Sequence, residues 1–462
     1  MDRRKLLKVG ATLGALLAAG TYGRYRLLPP RRSRVLASVD ELARRLFAGL
    51  DQELRAKACV DYDHPLRQYH NRGVWGGGLS IFSGGFSWEQ RGILTDLLYA
   101  GLSEAGRERV PNEFFSDLPG VHTMKVLICG DPHDPPYQLV LTGPHLNLRL
   151  GGRSREGVAF GGPQVYGDQR GNERAGLPGN LYRYQLEIAQ RLFRSLDPGQ
   201  QRETLLATAP IQTQIELQGR AGSFPGMPVA ELSFASRAIA RELVDGILST
   251  FAPPDVAYAR ECLERNGGLG ALSLSYYADG EVERSGQYQI FRLEGPAAVF
   301  HFRGAPHVHA FVNVAMDGDA PLSVGEALGE NPVPLEGAGV QSLFERAMRA
   351  GTGADLAWYD AEAVAGRLRR GTIRAGDIYA LESWQDEVVV SEIRGANLAR
   401  GLVDRLREAG TPVEPARHYT VATTSDAPGE ELGKRESSRR GELLREVTIA
   451  YLREHGSAGF RA

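Results

Sequence analysis

Three of the chain's ten histidines, His301, His307 and His309, fall within nine residues of the stretch Ala298–Val314. Strand side chains alternate between faces. In this stretch His307, His309, Phe311 and Asn313 therefore share one face, and Val308, Ala310, Val312 and Val314 the other. Imidazoles at i and i+2 of a strand lie about 7 Å apart along the backbone. Both rings can then reach one metal ion at bond lengths of about 2.0–2.1 Å. Gly304, Ala305 and Pro306 can turn the chain, predicting a hairpin of Ala298–Arg303 with His307–Val312. The simplest register sets His301 across from His309 and offers it as an additional ligand. Histidines on a half-buried strand also serve as hydrogen-bonded wall residues, and H-x-H by itself meets no established ligand spacing.

A second strand presents a histidine in the same manner. His145–Leu150 alternates strictly, with Leu146, Leu148 and Leu150 toward a core and His145, Asn147 and Arg149 opposite. Tyr137–Gly143 precedes it as another strand. The segment 151–180 is rich in glycine, proline and polar residues and reads as a long loop, a length that in a compact domain hints at function. Helices are expected over Val39–Ala58, with leucines at four-residue spacing, and over Trp88–Ala105, Leu181–Ser195 and Phe234–Phe251. Asp197 is expected to cap a further helix. Leu272–Tyr277 and Gln287–Leu293 lead as strands into the histidine hairpin. Helices and strands in separate runs predict an α+β fold with an antiparallel sheet.

At 462 residues the chain is long enough for two domains. A formal net charge of -2 gives no electrostatic footprint for nucleic acid. Cys59, Cys129 and Cys262 allow at most one disulfide and form no metal-type pair. At the N-terminus, Arg3 and Arg4 precede Leu6, Leu7 and Lys8, and a mildly apolar run follows from Val9 to Gly20. This resembles a twin-arginine export signal and implies an exported or periplasmic protein that meets the twin-arginine translocation machinery. Cleavage near Gly20 and retention as a membrane anchor both stay open. The run is short and glycine-containing for a spanning helix. Arg24, Arg26, Arg31, Arg32 and Arg34 beyond it do not suit a simple anchor.

Residues from about 40 to 320 resemble a widespread bacterial family known only as the three-thousand-five-hundredth domain of unknown function. The motifs that carry the resemblance are G-P-H-L-N-L at 143–148, S-L-D-P-G-Q-Q at 195–201, Y-Q-I-F-R-L-E-G-P at 288–296 and P-H-V-H at 306–309. The family carries G-H-H-L-S-L at the first of these, so Pro144 departs from it and only His145 carries over. The resemblance implies that His145, His307 and His309 belong to one pattern, and it brings no activity with it. Three histidines with an open fourth position suit zinc or copper. Asn147, Arg149, Tyr288 and Arg292 are candidates to support such ligands or to touch substrate. Glu294 and Asp168 are named as nearby general-base candidates. The rival is a metal-free, histidine-lined pocket that holds an anionic ligand with Arg149 or Arg292.

Residues of roughly 340–428 are similar to the substrate-binding C-terminal domain of 5'-nucleotidases, through the G-x-I-x-x-x-D element at 371–377 and the strand that starts at Glu387. The ligand-reading parts depart from that family. Asp360–Ala365 stands where it carries N-x-G-G-x-R, and Ser383, Trp384, Gln385 and Asp386 stand where it carries P-F-x-N. Trp384 could still stack a ring. Neither D-x-H near the start nor G-N-H-E is present, so no metallophosphatase half accompanies the domain.

The expected organisation is a signal and basic linker at 1–36, a large mixed helix and antiparallel-sheet domain at 37–330, and a smaller α/β nucleotidase-C-like domain at 335–462. The expected function is mononuclear metal binding at His145, His307 and His309, with hydrolytic or oxidative chemistry on an unknown small molecule. A non-enzymatic ligand or metal carrier and a nucleotide-hydrolysing enzyme are the alternatives.

Overall fold

A computed structural model describes residues 37–67, 78–117, 124–143, 145–151, 157–168, 180–210, 212, 215–282, 287–305, 307–318, 323–364, 366–382, 385–408, 412–427 and 429–461. The signal expected over residues 1–36 and the side chain of Trp384 lie outside them. The chain divides into two compact units, one from Met1–Tyr62 with Gly77–Leu322 and one from Asp63–Gly76 with Ser323–Ala462. Among the described residues no helix is long and apolar enough to cross a membrane.

The first unit is α+β, built on one 12-stranded sheet. Its strands are β1 (Cys59–Val60), β2 (Leu79–Ser80), β3 (Lys125–Asp131), β4 (Asp134–Thr142), β5 (Leu146–Leu150), β6 (Gln164–Asp168), β7 (Leu205–Leu206), β8 (Met227–Pro228), β9 (Ser273–Val282), β10 (Gln287–Gly295), β11 (Ala298–Arg303) and β12 (Val308–Val314). Their spatial order is β1-β3-β4-β5-β6-β12-β11-β10-β9-β7, with β2 on β3 and β8 on β9. Pairing is antiparallel except where the short strands β1 and β7 join β3 and β9 in parallel.

The helices of this unit are α1 (Val39–Ala48), α2 (Gln52–Ala58), α3 (Trp88–Ala100), α4 (Glu104–Asp117), α5 (Arg183–Arg194), α6 (Pro198–Thr204), α7 (Phe234–Leu248) and α8 (Pro253–Arg265). The helix expected over Val39–Ala58 is two helices. Gly49 closes α1 with its N–H on Arg45 and Leu46, and the Asp51 carboxylate accepts the Leu54 N–H at 2.8 Å to start α2. The stretch Trp88–Ala105 also divides, at Gly101. Asp197 caps α6 as expected, with Gln200 completing a reciprocal capping box.

Both faces of the sheet are buried. On one, Leu139, Leu141, Leu146, Leu148, Tyr166, Val308, Ala310, Val312, Phe300, Phe302, Phe291 and Leu293 join helix residues such as Leu94, Leu97, Leu243 and Ile247 in the main core. On the other, Val165, Val299 and Phe311 pack with Ile215 and Leu217 from the irregular segment between β7 and β8. This second face carries the histidines.

The second unit is smaller and mixed. It contains β13 (Ala327–Asn331), β14 (Leu356–Ala357), β15 (Gly371–Arg374), β16 (Glu387–Arg394), β17 (His418–Thr424) and β18 (Ser437–Leu443), with α9 (Ala338–Thr352), α10 (Ala375–Leu381), α11 (Arg400–Glu408) and α12 (Leu444–His455). Its main sheet runs β14-β17-β16-β18, and β13 pairs separately with β15. Leu343, Phe344 and Met348 of α9 meet Ile449 and Leu452 of α12 in its core. The short strand β14 pairs in parallel with β17.

Candidate metal centre

The histidines meet because of a strand that glycine and polar composition conceal. Within the expected loop 151–180 lies β6, inserted between β5 and β12 and bonded to both. The two histidine-bearing segments are therefore not direct neighbours, and across two interstrand spacings they are about 9–10 Å apart. Gly167 of β6 pairs with His309. The β5–β6 register, continued by one residue beyond Leu146–Tyr166, brings His145 level with Gly167 on its other side. With no side chain on Gly167, the two imidazoles can meet over it. A Cβ there would stand 2.0 Å from the Val308 carbonyl oxygen and 3.2 Å from His309 Cδ2.

One ligand nitrogen from each of His145, His307 and His309 lies within 4.8 Å of the others. His307 Nε2 and His309 Nε2 are 3.0 Å apart. Two nitrogens bound to one ion at about 2.0–2.1 Å, at angles between square and tetrahedral, are separated by about 2.9–3.4 Å. The His145 ring centroid is 5.1 Å from that of each partner ring. His145 and His309 are buried and His307 half-buried. Among the described residues no carboxylate or thiol joins the group, so its donors are imidazoles alone.

Two residues that the sequence did not single out complete the surroundings. Arg303 pairs with His309 across the β11–β12 ladder. Its Nη2 lies 3.3 Å from His309 Nδ1 and 3.5 Å from His307 Nε2. Gln212 comes from the segment over this face of the sheet. With its amide oxygen toward the guanidinium, that oxygen accepts from Arg303 Nε at 2.9 Å and Arg303 Nη1 at 3.0 Å, and the amide nitrogen donates to His309 Nδ1 at 2.9 Å. With the amide reversed, the oxygen is 2.9 Å from His309 Nδ1. The two amide orientations therefore pair with opposite tautomers of His309: the first donates an amide N–H to Nδ1, and the second accepts the proton of a protonated Nδ1. Burial holds the His309 pKa well below its usual value, and Arg303, His145, His307 and His301 push it the same way. The ring is therefore neutral at neutral pH, the form a metal requires.

His301 does not sit across from His309. The register places it opposite Phe311, two residues further along the same face, and Arg303 takes the position beside His309. Its Nδ1 accepts from Arg292 Nε at 3.3 Å. Arg292 in turn donates to Glu294 at 3.0 Å, and Gln218 also donates to Glu294 at 3.0 Å. Glu294 thus belongs to a buried ion pair. It pairs with Val299, four residues along the strand from the level of Arg303 and His309, about 13 Å away. Asp168 lies on the opposite face from His309 and accepts the Leu181 N–H at 2.9 Å. Neither carboxylate is placed as a base for the centre.

Arg149 is held by Gln138 at 2.9 Å and by the Pro163 carbonyl at 3.1 Å. Tyr288 packs its ring against Phe193, with centroids 5.0 Å apart, and belongs to the core side. Asn147 is fully buried on the same face as His145, and among the described residues neither atom of its amide has a hydrogen-bond partner. Arg303 was open to discovery by counting two residues on from His301. Gln212 lies in irregular chain that offered no periodic signal.

A model for the 5'-nucleotidase C-terminal domain matches residues 323–405. Among solved structures, a 5'-nucleotidase precursor from Thermus thermophilus is similar at 12% identity and a TM-score of 0.24, over 40% of this chain and 51% of its own. A sulfate thiohydrolase, SoxB, of the same species in complex with glycerol is similar at 13% identity and a TM-score of 0.24, over 35% of this chain and 42% of its own. The likenesses span about half or less of those proteins and carry no argument about this one. No curated protein matches the chain. The family model described as protein of unknown function (DUF3500) matches residues 32–319, more than half of the 462 residues, and the chain belongs to that family.

Proposed function

We propose that the chain is a mononuclear metal-binding protein that holds one zinc or copper ion through His145, His307 and His309. The observation that carries this reading is the convergence of the three ligand nitrogens within 4.8 Å, with two of them 3.0 Å apart. Three imidazoles so close together are chemically matched to a borderline or soft divalent ion. An ion held by three protein ligands would supply Lewis acidity at an open coordination position. The chain's own residues position its ligands: Gly167, which carries no side chain, leaves room for His145 to approach His309.

No carboxylate is placed as a general base among the described residues, so the reading commits to binding first and to hydrolytic or oxidative turnover second. The twin-arginine-like N-terminus supports export in a folded, metal-loaded state. The deciding experiment is metal content by mass spectrometry on the full chain beside His307→Ala/His309→Ala. Near-stoichiometric zinc or copper in the first and none in the second is the expected result. An empty wild type after reconstitution with either metal overturns the reading.

A further inference from the structure

We infer that the open position of this centre takes a small oxyanion, a carboxylate, carbonate or phosphate group, bridged between the ion and Arg303. The inference rests on the metal reading above and adds the substrate class. Imidazole ligands bring no negative charge, so three of them leave the full charge of a divalent ion uncompensated. Arg303 adds a guanidinium whose Nη2 is 3.5 Å from His307 Nε2. Among the described residues no carboxylate joins the cluster. The acid on this face that the sequence offered, Glu294, is committed to Arg292 and Gln218. A loaded centre is thus strongly positive in a largely buried place. Buried charge is tolerated only when paired.

The orientation of Arg303 says where the pairing occurs. With the Gln212 oxygen turned toward the guanidinium it takes Nε and Nη1, at 2.9 and 3.0 Å, and the remaining nitrogen, Nη2, lies 3.3 Å from His309 Nδ1. An ion bonded to His307 at about 2.1 Å then lies no more than about 5.6 Å from Nη2. A carboxylate spans that gap with one oxygen on the ion and the other accepting a charge-assisted hydrogen bond at about 2.7–2.9 Å. Asn147 supplies a second, independent sign of an unmade contact. Its amide is fully buried two residues from His145 on the same face, with both polar atoms unpartnered among the described residues. A buried amide in that condition costs stability unless something polar meets it. The remainder of a small polar substrate is suited to do so.

The test uses the full chain loaded with cobalt(II), whose visible spectrum reports ligand exchange, in low-chloride buffer. Acetate, bicarbonate and phosphate are titrated separately into wild type, Arg303→Gln and Gln212→Glu, after metal stoichiometry has been measured for each. Gln212→Glu places a carboxylate against the guanidinium without removing it, and so serves if Arg303→Gln does not fold. Support is a saturable spectral change with at least one anion in wild type, weakened about tenfold or more in a variant that keeps its metal. A spectrum unmoved by all three anions overturns the inference while leaving the metal reading intact, and so does equal affinity in wild type and both variants. Absence of metal from wild type overturns the metal reading and the inference together.

Discussion

His145 and His309 face one another across Gly167, their ring centroids 5.1 Å apart, although a strand separates the segments that carry them. That strand, β6, can lie between two ligands only because it presents no side chain at that level.

Gly167→Ala is therefore expected to be far more damaging than an ordinary glycine-to-alanine change in a strand. The new methyl would meet backbone at 2.0 Å and the His309 ring at 3.2 Å, so strand and imidazole must both shift. A destabilisation of about 1–3 kcal/mol or more is expected from overpacking, accompanied by loss of bound metal. Urea unfolding of the metal-free protein and metal stoichiometry check the two effects separately.

Among the clustered histidines, His301 is expected to behave differently from its neighbours. His301→Asn should retain near-stoichiometric metal, whereas His145→Ala and His309→Ala should each lower metal affinity by orders of magnitude. The distinction follows from the register, which seats His301 by Phe311 and leaves its Nδ1 to Arg292. Metal loss from His301→Asn equal to that from His309→Ala would refute the assignment.

His301 also makes a prediction for acid stability. Burial holds its imidazole well below the usual 6.5, and the guanidinium groups of Arg292 and Arg303 add to the shift. The folded pKa lies under the unfolded one, so on acidification the unfolded chain takes up the proton first. The contribution to stability is fully present above pH 6.5 and is lost as pH falls below it. The slope approaches about 1.4 kcal/mol per pH unit for one proton. Unfolding free energies of metal-free protein between pH 5 and 7 should show this fall, and His301→Asn should flatten it by about one proton.

Glu294→Ala is expected to lower stability by about 3–5 kcal/mol, because it leaves Arg292 charged and uncompensated where both partners are about 5% exposed. Metal content should not change, since Glu294 stands about 13 Å along the strand from the cluster. Loss of metal from a variant that still folds would return Glu294 to the candidate site.

The sequence was most legible where alternation was strict and apolar. The hairpin of β11 and β12, the strand β5 and the shared face of His145 and Asn147 all follow from period-two patterning. The register did not follow, because Gly304 to His307 offers a turn without fixing how many residues it consumes, and a shift of two keeps every side chain on its face. The strand β6 was hidden for a different reason. Its Gln164, Gly167 and Asp168 serve the interstrand bonds of Arg149, the imidazoles and the Leu181 N–H. These residue types leave only Val165 and Tyr166 to mark a strand. The break between α1 and α2 was legible in Gly49 and Asp51 but was masked by the continuing leucine spacing.

The insertion of β6 also dictates when the centre can exist during folding. His307 and His309 are two positions apart in sequence, beside the β11–β12 hairpin whose pairing is local. Strands β5 and β6 pair locally, and His145 meets the other two histidines only through the β6–β12 pairing, which joins Gly167 to His309 about 140 residues on. A half-formed chain thus offers an incoming ion only two imidazoles. If the centre takes an ion, its capture would follow that pairing, and the ion would then work as a latch on the most non-local pairing among the described strands of the sheet.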